Sequence, residues 1–128
     1  MSRRGEPVPI EQYLAKHEPA SRELFEVVRS LIESLGPTEV SPTKSQVAFR
    51  SGDAAFAWAW VPAQYLGGRT APLVLSLRLS RRDPSARWKQ VVEPRSGSFM
   101  HHLEVFSARD LDEEVVGWLR EARAESER

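Results

Sequence analysis

The chain has 128 residues, no cysteine and a formal net charge of zero, which excludes disulfides, thiolate nucleophiles and cysteine-ligated zinc and argues against a general polyanion binder. Its length suits one domain with one core, and 41% apolar beside 28% charged residues is far from the composition of a disordered chain. No stretch approaches the roughly 18 apolar residues of a membrane span, and the basic opening MSRRGEPVP lacks the apolar run of a secretory signal, so a cytoplasmic protein with no membrane association is expected.

Arginine outnumbers lysine fifteen to three and asparagine is absent, a bias that GC-rich coding imposes, so the placement of charge carries more than its amount. Residues 1–39 hold five basic and seven acidic side chains, 40–103 nine and three, and 104–128 four and eight. Two acidic ends therefore flank a basic middle. Either the layers complement each other at surface range, where each pair contributes roughly 0 to 1 kcal/mol, or the middle offers a face that attracts anions.

Residues 1–8 are expected to form a flexible arm, followed by a single domain over 9–124 and a C-terminal tail at 125–128. PIEQYLAKHEP suits a short helix with Ile10, Tyr13 and Leu14 as its contact side. In SRELFEVVRSLIESLGP, Leu24, Val28, Leu31 and Leu35 recur at helical spacing, Phe25 and Ile32 widen the stripe, and Pro19, Gly36 and Pro37 punctuate a helix over about 20–35.

Beyond residue 38 the period changes to two. QVAFRSG sets Val47 and Phe49 against Gln46, Ala48 and Arg50, SGD turns the chain, and AAFAWAW answers as the second arm of a hairpin. PAQYLGGRTAP is a loop, LVLSLRLS puts Leu73, Leu75, Leu77 and Leu79 on one side, and a basic loop SRRDPSARWKQVVEPRSGS leads to a strand around FMHHLEV. SARDLDEEVVGWLREARAE is a helix whose face is Leu111, Val115, Trp118, Leu119 and Ala122, with Asp110 and Glu113 as a capping-box-like pair.

This order predicts an α+β fold: a single antiparallel sheet of about five strands with N-terminal and C-terminal helices packed on one face. The leucine row must meet the helices. Phe56, Trp58 and Trp60 are expected to join it, because each ring hides about 150 to 250 Å², worth about 4 to 6 kcal/mol at about 25 cal/mol per Å² as an upper estimate. Ala55, Ala57 and Ala59 would then face outward. The alternative turns the alanines toward the helices and leaves the rings as an open shelf on which Arg50 or Arg78 stacks.

PTKSQVAFR, FAWAW, LVLSLRLSRRDPSARWKQVVEP, FMHHLEV and SARDLDEEVVGWLREA together resemble the actinobacterial DUF5655 family, a domain of unknown function that is similar in layout to YdhG-like DUF1801 proteins. The resemblance runs over about residues 9–124. It implies no activity, and its recurrent polar positions fall here on Lys44, Gln46, Arg82, Arg87, Lys89, His101 and His102. These are the candidate ligand-binding residues.

Lys44, Arg87 and Lys89 could converge at one sheet edge, where arginine and lysine favour phosphate or carboxylate. Trp88, between two cations, would suit a stacked base. A solvated basic loop is the plainer outcome. His101 and His102 are adjacent, so on a strand they point to opposite faces and cannot share a metal. One suits the core; the other, sharing parity with Glu104, suits a polar pocket. Ser45, Ser76 and Ser80 occupy no nucleophile elbow, LGGRTAP matches no phosphate loop, and only Asp53, Asp83 and Glu93 are acidic in the sheet region, so no catalytic residue, metal or cofactor is assigned. The expectation is a non-catalytic binding module for an anionic small molecule or an acidic protein segment. The alternative is a homodimeric interaction domain that pairs its alanine face; nucleic acid is not the expected partner.

Overall fold

Period-two alternation organises the middle of the chain into strands, and helical periodicity closes it at both ends. The computed structural model describes residues 7–62 and 70–127. In it the chain runs α1 (Ile10–Ala15), α2 (Pro19–Glu33), β1 (Glu39–Pro42), β2 (Val47–Ser51), β3 (Ala54–Trp60), β4 (Leu73–Leu79), β5 (Gln90–Arg95), β6 (Ser98–Val105), a 3-10 turn at Ala108–Asp110, and α3 (Glu113–Ser126). The strands form one antiparallel sheet in the order β1-β2-β3-β4-β6-β5. This is the α+β fold predicted, with six strands in place of about five.

The additional strands are the edges. β1 has four residues and ends in a proline. β5, inside the predicted basic loop, carries Pro94 at the irregularity between Val92 and Arg95, a position where a missing N–H breaks no ladder bond. Both look like loop in sequence because edge strands are built short and interrupted.

One face of the sheet carries the core. Leu73, Leu75, Leu77 and Leu79 are fully buried with Val47, Phe49, Leu103 and Val105, beneath Leu24, Phe25, Val28 and Ile32 of α2 and Val115, Trp118, Leu119 and Ala122 of α3. The aromatic strand corrects the first expectation. Phe49 pairs with Ala57 and Arg50 with Ala55, so Phe56 is an extra residue in β3, a bulge that shifts the side-chain alternation by one. Phe56 therefore faces the helices, and so do Ala57 and Ala59, all at 0% exposure, while Trp58 and Trp60 lie half-buried on the opposite face. The alanines let α3 approach β3 closely. The outward face of Ala55, Ala57 and Ala59 on which the alternative, a homodimer, was to pair is not formed, because Ala57 and Ala59 are buried under the helices.

The ends are tied down more firmly than predicted. Val8 donates its N–H to the Pro42 carbonyl, whereas residues 1–6 of the expected arm lie outside the described residues. α3 continues through Ser126, Glu125 accepts from the Ser80 amide and hydroxyl, and Ser51 donates to Glu127, which ties the end of the helix to β2 and to the residue after β4. The α3 cap is Asp112, which accepts from the Val115 amide; Asp110 instead closes a capping box with Ser107 on the 3-10 turn. Gly36, at φ 150°, lies where an added Cβ would come within 2.8 Å of the Arg123 guanidinium, which is docked on the Pro37 carbonyl and the Thr38 hydroxyl.

Because Ala57 is sealed under α3, Ala57→Leu should destabilise the domain by about 1 to 3 kcal/mol through overpacking, whereas Ala55→Leu on the other side of the bulge should be near neutral. Urea unfolding with unchanged slope measures both. Equal effects at the two positions would contradict the shifted alternation.

Candidate ligand site on the open face of the sheet

The face away from the helices is organised in rows set by strand register. The central row reads Ala48, Trp58, Ser76, His102 and Gln90 across β2, β3, β4, β6 and β5. The neighbouring row holds Trp60, Val74 and Glu104, and the one after Ser76 in the other direction holds Arg78, Met100 and Val92. A small serine between two rings leaves a depression. Gln46, Trp58, Trp60, Ser76, Met100 and His102 line a hollow of about 400 Å³.

Its polar floor is fully specified. The Trp60 indole donates to Ser76 Oγ at 2.9 Å, and Ser76 Oγ lies 2.7 Å from His102 Nδ1. Among the described residues the Ser76 hydroxyl has no acceptor other than Nδ1, and donating there matches its proton and leaves the neutral imidazole carrying its own proton on Nε2. Burial, aided by the neighbouring His101, holds the His102 pKa below its usual value. Trp60 and His102 meet edge to face, 6.0 Å apart at 88°. The Arg78 guanidinium lies 5.9 Å from the Trp58 ring centre and donates to the Ala55 carbonyl, which is the stacking anticipated for an open shelf.

His101 has the opposite environment. At 0% exposure it accepts the Asp83 amide proton on Nε2 at 3.0 Å, and its Nδ1 is 3.2 Å from the Phe99 carbonyl. Nδ1–H therefore donates to Phe99. A second proton would oppose Nε2–H to the Asp83 N–H, and burial accordingly pulls this pKa down. It is a core histidine.

Asp83, the residue that follows the two arginines of the basic loop, is the hub beneath that loop. Its carboxylate accepts from the indoles of Trp88 and Trp118, the Ser85 amide and Arg81. Burial opposes its charge, but these donors outweigh it and hold its pKa below the usual carboxylate value. Arg81 also pairs through two nitrogens with Glu121, and Arg87 engages Glu114, Asp112 and the Asp110 carbonyl. Those partners raise the Arg87 pKa and lower that of Asp112.

The seven candidate residues therefore separate. Gln46 and His102 meet in the hollow. His101 is in the core, and Arg87 is committed to α3. Arg82 covers the Phe99 ring at 5.4 Å, and Lys89 is exposed, with its backbone N–H on the His102 carbonyl. Lys44 sits in the β1–β2 connection at one margin of the sheet and Lys89 precedes β5 at the other, roughly 20 Å away at about 4.8 Å per strand. The cation cluster at a single edge is not formed, and Trp88, buried 4.2 Å from the Trp118 ring, is not a stacking platform. Trp58, Trp60, Ser76, Met100 and Arg78 are the residues of the site that sequence reasoning left out of its candidates. The signal for them was the shelf alternative, since Ser76 is the only polar residue among the first five of β4.

Residues 10–123 match the family model described as Domain of unknown function (DUF5655). No curated protein and no solved structure matches the chain. Among the described residues no helix is long and apolar enough to cross a membrane.

Removing the hub leaves the indole donors of Trp88 and Trp118 and the Ser85 amide without their acceptor, so Asp83→Ala should cost about 3 kcal/mol and lower Tm by roughly 10 °C. The pH dependence follows from the histidines. The pKa values of His17, His101 and His102 are all lowered by burial, so below the unfolded value of about 6.5 the unfolded chain binds more protons. Stability should be full above that pH and fall as pH drops from 7.5 to 5.5, less steeply in His101→Gln. A Tm unchanged over that window would contradict the buried neutral imidazoles.

Proposed function

Because the chain belongs to the DUF5655 family, a domain of unknown function, its role rests on its own site, and we propose that it is a cytosolic binding module that holds an anionic small molecule in the hollow of the open sheet face. The observation that carries this reading is the donor inventory of the site. With Ser76 spent on His102, the donors available to a ligand are the His102 Nε2–H and the Gln46 amide, which line the hollow, and the Arg78 guanidinium on the adjoining Trp58 ring, which also donates to the Ala55 carbonyl. Such a set favours acceptor oxygens.

Binding is favoured over catalysis. The Ser76 and His102 pair has the contact of a nucleophile with its base, but Ser76 is 2% exposed, and β4 is paired on both sides, so ladder bonds consume the amides that would stabilise an oxyanion. A small ligand is favoured over an acidic protein segment, because Arg81 and Arg87, which would line such a track, are committed to carboxylates of this chain.

A thermal-shift panel of nucleotides, phosphorylated metabolites and carboxylates tests the assignment. A ligand at a hundred times its dissociation constant should stabilise the protein by about 2.7 kcal/mol, and both His102→Ala and Arg78→Ala should abolish that gain. The reading fails if no anion shifts Tm, or if the shift survives both substitutions.

A further inference from the structure

Resting on this anion-binding reading, we infer that the ligand is planar: an aromatic or heteroaromatic ring that bears a carboxylate or phosphate. The shape of the hollow points to this. Its floor is Ser76, and its walls are two indoles, an imidazole and the Met100 thioether. Trp60 is pinned through its N–H to Ser76, and Trp58 through the guanidinium lying on its ring, so the rings are oriented before any ligand arrives. They stand on β3, β4 and β6, each paired on both sides, which is the rigid support that a preformed site requires. An aliphatic anion uses the three donors but leaves the ring surfaces wet. A flat anion uses both, and thioether sulfur adds a favourable contact to an aromatic edge.

The charges of this face also give the ligand a direction. Glu104 shares the row of Trp60 and Val74, while Arg78 lies four residues along β4 from Val74, about 13 Å away at roughly 3.3 Å per residue. An anionic substituent is repelled at the first end and attracted at the second. The ring therefore occupies the space between the tryptophans with its acidic group toward Arg78.

Two acids of similar size and equal charge separate planarity from charge: naphthalene-2-carboxylate and trans-decahydronaphthalene-2-carboxylate, each titrated calorimetrically into the intact protein. The flat acid should bind at least about ten times more tightly, the scale of one ring stacked on one aromatic side chain. In Trp58→Leu, checked by circular dichroism for native folding, the ratio should fall toward one. In Arg78→Gln the naphthoate should weaken at least about fivefold while naphthalene-2-carboxamide does not. Equal affinity of the two acids for the wild type would overturn the planar ligand and leave the anion reading standing, as would tighter binding of the saturated acid. Failure of both acids and of every anion in the wider panel would overturn both.

Discussion

One extra residue in β3 decides what each side of this molecule is. Phe56 has no partner of its own in β2, and the bulge it makes lets a single heptapeptide present a phenylalanine and then two alanines to the same side. Without it, Phe56, Trp58 and Trp60 would face one way. All three would then compete for the space in which α3 lies against β3, where only Ala57 and Ala59 fit. The bulge admits one ring, which fills the end of the core beneath Arg123, and moves two indoles to the uncovered face. The area argument that favoured burying all three rings was sound per ring, but it assumed an unbroken alternation.

The uncovered face is not left apolar as a result. Ser76 accepts a hydrogen bond from the Trp60 indole and shares another with His102 Nδ1, and Arg78 lies on Trp58. Each ring therefore has a polar partner that restricts its orientation, as aromatic residues with a polar handle generally do when half-buried. The same chain of bonds that keeps the indoles in place determines which proton His102 offers to its surroundings. The packing of the indoles and the donor set of the hollow thus share one set of contacts.

Much of this was legible in the residues. Four alternating leucines, the α2 stripe and the α3 face declare their own burial, because each pattern is local and long enough to repeat. The opposite fates of His101 and His102 follow from adjacency on a strand. The edge strands were not legible, since β1 is four residues long and β5 holds Pro94, features that sequence shares with loops. The bulge was hidden for a different reason. Nothing in AAFAWAW marks the residue at which alternation slips; the slip is imposed by β2 and by the room beneath α3. The site then followed the bulge out of sight, because its two largest walls depend on it.

The basic middle segment shows how a charge pattern can mislead about location while being right about complementarity. Arg81 and Arg87 are matched by Glu121, Asp112 and Glu114 of α3 and its cap, so the excess of one segment is met by that of another across the layers. The interaction is anchored at depth by Asp83, where two indoles and an amide hold a carboxylate whose charge burial opposes. An arginine that serves such a hub has little left for a ligand. The cation that remains directed at an aromatic surface on the open face is Arg78, whose neighbours in sequence are leucines and which no clustering of charge along the chain would single out. In this fold Arg81 and Arg87 of the basic segment secure α3, and the solitary arginine between two leucines lies on a ring that walls the hollow.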